Sequence, residues 1–328
     1  MSLLIICRFI SFLLALEVSM AIVPLDFGPK VQLNCSNTIH VDQSGRGNFE
    51  SIKAAVDSVP PNNSQWICIY VKQGVYKERV FISRDRPFIY IVGDGLRQTQ
   101  IVSNGTDPID ATATFITHAA NIIIQGISFI NSYNYPAIGS PNPMTQAVAA
   151  KIEGDKTAFY ECGFYGLQDT LWDHSGRHYF KDCIIEGAVD FIFGAGQSIY
   201  ENCVISVVGE AIGSEGFITS HSRQSPEETS GFVFKHCYIG GNGKTYLGRP
   251  WRKYARVIYY KTFMSNIIVP HGWAAASSTS QDQGLLTFVD DECFGPGANT
   301  SERPDWANKL NPEELQKFVC ISYINSDG

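Results

Sequence analysis

Two aspartates and two glutamines stand at nearly regular intervals in the middle of the chain. Asp169 and Asp190 are 21 residues apart, while Gln146, Gln168 and Asp190 follow one another at intervals of 22 and 22. Two carboxyl groups held close together cannot both ionise easily, so one of them should have a raised pKa. A neutral acid beside an ionised carboxylate can protonate a leaving group while the carboxylate attacks a carbon atom. Amide N–H groups nearby can stabilise an oxyanion, so the four side chains together suit nucleophilic catalysis.

Cysteines repeat with nearly the same period as the aspartates. Cys162 and Cys183 are 21 residues apart, and Cys203 follows 20 residues later. Aromatic or aliphatic residues precede each cysteine and apolar residues follow it, as in Tyr179–Ile185. A period of 20–50 residues is typical of a solenoid, so the candidate chemistry and the candidate structure share one repeat.

The repeating segments are predicted to be strands. They are Trp66–Lys72, Phe88–Val92, Ile122–Phe129, Ala147–Ile152, Ala158–Phe164, His178–Ile185, Ser198–Val207, Phe232–Ile239 and Val257–Met264. Helical connectors and the frequent two-residue turns of hairpins are missing between them, so we predict an all-β fold, a single-stranded parallel β-helix. Phe49–Val59 is predicted as a short helix that covers the first coil, and Asn311–Val319 as a helix on the outside.

The β-helix would bring the polar residues together, because residues one period apart lie about 4.8 Å apart on neighbouring coils. Gln146, Gln168 and Asp190 are predicted at similar lateral positions on three coils, with Asp169 displaced by one residue. A ladder of polar side chains that only hydrogen-bond along the stack fits the same spacing. The spacing alone therefore leaves the catalytic and the structural interpretation open.

The same geometry applies to the cysteines. A separation of about 4.8 Å between coils lies within the Cα distances that disulfides span, about 4.4–6.8 Å, so Cys183–Cys203 is a candidate bridge. A stack of free thiols packed as small apolar residues is the alternative, and Cys162 competes for Cys183.

Composition and the chain ends give the class of protein. The 25 basic and 32 acidic residues leave a net charge of −7, which argues against a nucleic-acid partner, and no basic run suggests a membrane surface. Residues 1–21 have the pattern of a signal peptide, so residues 22–328 are predicted to be one secreted, extracellular domain. Its four N-glycosylation sequons begin at Asn34, Asn62, Asn104 and Asn299. No spacing of Cys or His suggests a metal site.

Five short motifs occur in one order along the chain. They are Gly74–Glu78, Gln146–Ala149, Gln168–Leu171, Asp190–Gly194 and Leu247–Trp251. Together they resemble the five signature motifs of pectin methylesterases, especially those of plants, over about residues 39–294. The resemblance implies a right-handed parallel β-helix, in agreement with the period. The inhibitor-like pro-region of many plant relatives is not expected here, since only residues 22–37 precede the matched part.

The resemblance also implies roles for the central residues. Asp190 would be the nucleophile that attacks the C6 methyl-ester carbonyl of a galacturonate, and Asp169 the acid that protonates methanol and then activates water. Gln168 would stabilise the oxyanion, and Gln146 would assist it or bind substrate. Arg249 would pair with Asp190 and lower the pKa of its carboxyl group.

Four further residues match the substrate-binding positions of the family. Trp251 would be a stacking platform for a sugar, Thr114 a substrate-binding threonine, and Phe193 and Trp172 aromatic walls of the groove. Core packing is the alternative for the aromatic residues. The chain departs from the family pattern at Trp172, which replaces a tyrosine, and at 220–221, where Ser-His replaces Ala-Gln. These departures bear on subsite preference rather than on the catalytic set.

The expected activity is hydrolysis of methyl esters on homogalacturonan in the cell wall, without a cofactor, by a monomer. A proteinaceous pectinesterase inhibitor is an expected partner of such an enzyme. Polygalacturonases and pectate lyases also use β-helices, and a wall-binding protein without activity is a third alternative. Methanol release separates the esterase from all three.

Overall fold

The chain forms three long parallel sheets. The computed structural model describes residues 33–327 apart from 137–138, 141 and 276–279. Sheet A contains β1 (Asn37–Val41), β2 (Ile67–Val71), β5 (Ile89–Gly93), β8 (Ile122–Gln125), β11 (Thr157–Tyr160), β14 (Arg177–Lys181), β17 (Gln197–Glu201), β20 (Gly231–Lys235), β23 (Arg256–Tyr260) and β25 (Thr287–Asp291). Sheet B contains β3 (Gly74–Tyr76), β6 (Thr99–Ser103), β9 (Ser128–Asn131), β12 (Gly163–Tyr165), β15 (Ile184–Gly187), β18 (Val204–Val208), β21 (Tyr238–Asn242) and β24 (Phe263–Met264). Sheet C contains β4 (Val80–Ile82), β7 (Phe115–Thr117), β10 (Ala150–Ile152), β13 (Leu171–Asp173), β16 (Val189–Gly194), β19 (Gly216–His221) and β22 (Thr245–Pro250).

Through the central coils the strands visit the sheets in the repeating order A, B, C. After β11, β12 and β13 the chain returns to sheet A, where β14 pairs in parallel with β11 and Phe159 lies opposite Phe180. The next coil repeats the arrangement, with Phe180 opposite Tyr200. The predicted right-handed parallel β-helix is therefore confirmed.

The repeating Cys or Thr lies at the corner where the chain passes from sheet A to sheet B. One residue with a positive φ stands there in each of six coils: Glu161 (52°), Asp182 (55°), Asn202 (54°), His236 (55°), Lys261 (51°) and Glu292 (49°). The next residue is Cys162, Cys183, Cys203, Cys237, Thr262 or Cys293. The left-handed residue turns the chain sharply, so the predicted continuous segment His178–Ile185 is in fact two strands in different sheets. The following side chain points inward, where a small residue fits.

The predicted disulfide between Cys183 and Cys203 is wrong. Both residues are buried free thiols. The Cys183 Sγ donates to the Phe159 carbonyl at 3.5 Å and the Cys203 Sγ donates to the Phe180 carbonyl at 3.4 Å. The inward column of thiols thus packs as small residues whose weak donors are satisfied by backbone oxygens.

The one disulfide among the described residues lies elsewhere and was not predicted. It joins Cys35, just before β1, to Cys68 in β2, across a Cα separation of 5.8 Å. The bond therefore fastens the beginning of the described chain to the next coil of sheet A.

A column of aromatic rings fills the centre of the β-helix. Phe159, Phe180, Tyr200, Phe234 and Tyr259 contribute one ring each from five consecutive coils. The ring centroids of successive members are 5.1, 4.6, 4.5 and 4.5 Å apart, and the planes are inclined by 14° or less. Each ring is fully buried, so the stack links all five coils through apolar contact.

Helices are short and lie outside the sheets. They are α1 (Ile52–Asp57), α2 (Ile109–Thr112), α3 (Ser280–Gln283) and α4 (Pro312–Val319), with 3₁₀ turns at Gly209–Ala211 and Ile321–Tyr323. The predicted helix at Phe49–Val59 is confirmed as the shorter α1, which buries Ile52, Ala55 and Val56 against the first coils. The predicted outer helix is confirmed as α4, which begins at an Asn311–Glu314 capping box. It packs on sheet A.

The structure bears on membrane insertion, but it does not test the predicted signal peptide or glycosylation. Among the described residues there is no helix with the length and apolar character needed to span a bilayer. The predicted signal peptide, residues 1–21, lies outside the described residues. The four sequon asparagines are all exposed, and their glycosylation stays a prediction.

The aromatic column gives a first testable prediction, which concerns stability. Phe180→Ala should lower the free energy of unfolding by about 3–5 kcal/mol, because it removes a buried ring and leaves a cavity between two stacked neighbours. Phe81→Ala is the control, since Phe81 is 45% exposed on β4. Denaturant unfolding of both variants checks this, and equal losses for the two would contradict a stabilising column.

Candidate active site

The two aspartates occupy equivalent places at the corner between sheets B and C. Asp169 lies between β12 and β13, and Asp190 lies one coil further, at the start of β16. Both have positive φ angles, 61° and 47°. Non-glycine residues seldom adopt this conformation, and strained backbone of this kind is concentrated at functional sites. The backbone N–H of Asp169 donates to the Val189 carbonyl at 3.1 Å, which fixes the two corners side by side.

The predicted column of Gln146, Gln168 and Asp190 needs a correction of one residue. Gln146 pairs with Gln168, but Gln168 pairs with Val189. The reason is that the coil that follows Gln168 contains 21 residues, whereas 22 separate Gln146 from Gln168. The two amides therefore share one position and the two carboxylates share the next.

Asp169 is a buried carboxyl group with an amide donor. Only 4% of the residue is exposed, and the Gln146 Nε2 donates to its Oδ2 at 2.7 Å. Burial, and then the negative charge of Asp190, raise the pKa of Asp169 to about 7, although Gln146 and Arg249 oppose the shift. At neutral pH and below, this group can therefore hold a proton.

Asp190 is held by an arginine from β22. The Arg249 Nε donates to Oδ1 of Asp190 at 2.9 Å, and Nη2 donates to Oδ2 at 2.5 Å. This two-bond geometry matches the planar guanidinium to the carboxylate. Burial raises the pKa of Asp190 above its ordinary value, although the hydrogen bonds and charge of Arg249 oppose the rise. The arginine thus favours the ionised form of Asp190.

Gln168 offers an amide that the protein leaves available. Its backbone carbonyl accepts from Ala147 N at 3.1 Å, whereas its half-buried side chain has no hydrogen-bond partner in the part of the chain that the structure describes. The amide lies at the position next to the two carboxyl groups. It can therefore donate to an oxygen atom of a bound molecule.

Three aromatic rings extend from the carboxylates along the outer surface of sheet C. Trp172 and Phe193 are stacked with centroids 5.2 Å apart, and Phe193 lies 6.0 Å from Trp251. Trp251 is 43% exposed whereas Phe193 is 4% exposed. Trp251 can therefore stack on a ligand, while Phe193 mainly supports its two neighbours.

Comparison with known proteins decides the family. The family model described as Pectinesterase matches residues 38–327. The chain belongs to the pectinesterase family. Two relatives in Arabidopsis thaliana, Probable pectinesterase 29 and Probable pectinesterase 55, are each 47% identical over 294 and 292 residues, covering 88% of this chain and 88% of each relative. As a pectinesterase, the protein is a carboxylic ester hydrolase.

Solved structures agree with this assignment. A pectin methylesterase from carrot superposes with a TM-score of 0.80 at 27% identity, covering 90% of this chain and 95% of the carrot chain. A pectin methylesterase from Aspergillus niger superposes with a TM-score of 0.75 at 26% identity, covering 92% and 97%. The β-helix of this pectinesterase is therefore shared along nearly its whole length.

Thr114 lies at the corner between sheets B and C in this pectinesterase, just before β7. The residue is fully buried. Its hydroxyl group donates to the Ile130 carbonyl at 3.0 Å and lies 2.9 Å from the Ser103 Oγ. These bonds fix Thr114 within the fold, and its predicted contact with substrate stays a prediction.

Two residues support the site in ways that the sequence did not predict: Phe217 had not been singled out, and His221 had been noted only as a departure from the family pattern. Phe217 lies beneath Arg249, whose Cζ is 4.3 Å from the ring centroid. His221 is fully buried, and burial lowers its pKa to about 3, so its ring is neutral. Its Nδ1 accepts from Arg256 N at 3.1 Å and its carbonyl accepts from Trp251 N at 3.0 Å. The departure from the family pattern at His221 therefore supports the loop that carries Trp251.

The arrangement of His, Cys, Asp and Glu side chains bears on metal binding. Among the described residues, no group of three or more His, Cys, Asp or Glu side chains is arranged to hold a metal ion.

The raised pKa of Asp169 predicts a pH-dependent stability. An aspartate titrates near pH 3.9 in an unfolded chain, so the folded protein keeps a proton on Asp169 between about pH 4 and about pH 7. The stability that this proton gives is complete below pH 4 and is lost as the pH rises through about 7. An asparagine side chain at this position cannot ionise. Asp169→Asn should therefore become increasingly more stable than the parent protein as the pH rises from 4 to 8.

Denaturant unfolding at a series of pH values measures this difference. Asp305→Asn, at an exposed aspartate, is the matched control and should show no such trend. A stability difference between Asp169→Asn and the parent protein that stays constant from pH 4 to 8 would contradict the raised pKa.

Proposed function

We propose that this pectinesterase hydrolyses the C6 methyl esters of homogalacturonan through Asp190 and Asp169. The observation that carries the proposal is the asymmetry of the two carboxyl groups. Arg249 holds Asp190 through two hydrogen bonds, while the buried Asp169 has a pKa of about 7. One group is thereby prepared as a nucleophile and its neighbour as an acid.

The first half of the reaction forms an acyl-enzyme. An oxygen of the ionised Asp190 attacks the ester carbonyl carbon, and the carbonyl oxygen becomes an oxyanion. The free amide of Gln168 donates to that oxyanion. When the tetrahedral intermediate collapses, the C–O bond to the methoxy group breaks and Asp169 gives its proton to the departing oxygen, which leaves as methanol.

The second half of the reaction restores the enzyme. Asp169, now ionised, takes a proton from a water molecule, whose oxygen attacks the acyl carbon. The bond to Asp190 breaks, so the galacturonate leaves with a carboxyl group and Asp190 is again a carboxylate. The net reaction consumes one ester and one water and produces one acid and one methanol. Gln146 keeps Asp169 oriented through both halves.

The proposed ester hydrolysis also indicates the polymer substrate and the location of the enzyme in the cell wall. Trp251 offers an exposed aromatic face for a sugar ring of the polymer, two residues after Arg249, which binds Asp190. The action of such an enzyme makes wall pectin more acidic, and secretion would bring the enzyme to that polymer. This is the setting in which a proteinaceous pectinesterase inhibitor would meet the enzyme.

Substitution of the reacting residues tests the mechanism. Asp169→Asn should reduce methanol release from highly methylated pectin by about 10²–10⁴-fold, the usual contribution of a general acid, and Asp190→Asn should reduce it at least as much. Arg249→Lys should also impair the rate although the charge is kept, because the planar fork is lost. Near-normal methanol release by either aspartate variant would overturn the assignment. Reducing-end and unsaturated-product assays on the parent protein report glycosidase or lyase activity instead.

The pH profile tests the protonation states. Asp169 must be protonated for the first step, so kcat/KM for methanol release should fall above about pH 7. The hydrogen bond from Gln146 lowers the pKa of Asp169, so Gln146→Ala should move this basic limb to higher pH. Gln65→Ala, at an exposed residue of the first coil, should leave the profile unchanged. A limb that moves to lower pH in Gln146→Ala would contradict the assigned proton.

A further inference from the structure

Trp251 lies in a short turn between two strands of different sheets. Arg249, which binds Asp190, belongs to β22 and lies opposite Ser220 in the parallel ladder with β19. Trp251 follows the last residue of β22, and residues 251–255 connect that strand to β23 in sheet A. The strand register therefore places the arginine, whereas the direction of the exposed tryptophan ring depends on the conformation of the turn.

The turn is held at its beginning by His221 and near its end by Arg223. The N–H groups of Trp251 and Arg252 donate to the His221 carbonyl at 3.0 and 3.3 Å. The N–H of Tyr254 donates to the Arg223 carbonyl at 3.3 Å, and Nη1 of Arg223 donates back to the Tyr254 carbonyl at 3.2 Å. Main chain and side chain of one arginine thus close the turn three residues after the tryptophan.

The guanidinium group of Arg223 is buried among carbonyl oxygens. The residue is 5% exposed, and it forms no ion pair within the part of the chain that the structure describes. Besides the bond to Tyr254, its Nε donates to the Glu228 carbonyl at 2.8 Å and its Nη2 to the Pro226 carbonyl at 2.7 Å. A buried charge is costly unless its donors are hydrogen-bonded. The arginine therefore joins its own loop, residues 222–230, to the turn that carries Trp251.

The loop that contains this arginine is itself fixed to the solenoid. Thr229 Oγ1 donates to Gln197 Oε1 in β17 at 2.6 Å. Arg256 in β23 donates from Nη1 to the carbonyls of Thr229 and Ser230 at 3.1 and 3.0 Å. The Tyr323 hydroxyl, from the last 3₁₀ turn, donates to the Thr229 carbonyl at 2.9 Å. The loop is thus a rigid support from which its arginine can hold the turn.

We propose that Arg223 is a positioning residue that fixes the aromatic face of Trp251 for a sugar ring of the substrate. The inference rests on the proposed function, in which Trp251 is the stacking platform. Because Arg249 is held separately by the ladder of sheet C, loss of Arg223 should weaken substrate binding and spare the chemical step. Such a change raises KM and leaves kcat nearly constant.

Arg223→Met tests this, because it keeps a long apolar side chain and removes the donors. KM for highly methylated pectin, measured by methanol release, should rise about two- to tenfold, the size of one aromatic contact. kcat should stay within about twofold of the parent value. Arg223→Lys keeps the charge without the planar fork and should raise KM less, and it replaces the methionine variant if that protein does not fold.

A double-mutant cycle shows whether Arg223 acts through Trp251. Trp251→Ala alone should raise KM at least as much as Arg223→Met. The double variant should have the KM of Trp251→Ala, because a residue that acts only through another has no effect once the other is removed. Independent effects that multiply in the double variant would contradict the positioning role.

Hydrogen exchange measures the turn without substrate. In Arg223→Met the amides of residues 251–255 should exchange faster, while those of residues 245–249 in β22 keep the parent rates. Arg86→Met is the matched control, since Arg86 also donates to a carbonyl, that of Val59 at 3.0 Å, in the first coils. It should change neither KM nor exchange in the turn. Equal acceleration of the turn and β22 in Arg223→Met would indicate a general loss of stability and would contradict the inference.

The remaining outcomes separate the two proposals. An unchanged KM in Arg223→Met, or a fall in kcat at constant KM, would overturn the inference and leave the proposed function standing. An unchanged KM in Trp251→Ala would overturn the stacking platform of the proposed function, and this inference with it. Failure of the parent protein to release methanol would overturn the proposed reaction.

Discussion

The site depends on backbone pairing between two successive corners of the solenoid. The N–H of Asp169 donates to the Val189 carbonyl, and this bond sets Asp169 beside Asp190. The pairing is possible because the intervening coil contains 21 residues and because both aspartates adopt a left-handed backbone conformation. The strands on either side belong to sheets buried in the core, so the corner cannot relax without disturbing the stack. The strain is thus held by the repeated structure around it.

An electrostatic difference follows from this geometry. Two carboxyl groups on adjacent coils repel each other when both are ionised, and each is largely withdrawn from water. Arg249 reaches across β19 to one of them, while the other receives the Gln146 amide. This arrangement favours the proton on Asp169 and the charge on Asp190. Phe217, below the guanidinium group, helps to keep Arg249 in place.

The sequence predicted the architecture well because the solenoid repeats, and it failed where coils differ in length or where a backbone conformation leaves no signal in the sequence. A period near 21 was enough to predict the parallel β-helix. It did not show that a segment such as His178–Ile185 is two strands, because the left-handed residue that divides them, Asp182 or its equivalent, has no fixed residue type. The predicted column of Gln146, Gln168 and Asp190 was misplaced by one residue because consecutive coils differ in length, so Gln168 pairs with Val189. The burial of Thr114 is a property of its folded neighbours and is not visible in the motif. Cys35 precedes the first coil and so lies outside the period that guided the cysteine analysis. The roles of the catalytic residues came from the ordered motifs, since spacing alone fitted a structural ladder equally well.

The direct test of the account is the titration of the two carboxyl groups themselves. Carbon-13 NMR of aspartate-labelled protein, with assignments from Asp169→Asn and Asp190→Asn, follows each group as the pH changes. The account predicts that Asp169 titrates near pH 7 in the parent protein, and at lower pH in the Asp190→Asn variant, where the neighbouring charge is gone. A resonance of Asp169 that titrates in the ordinary carboxyl range near pH 4 in the parent protein would contradict it.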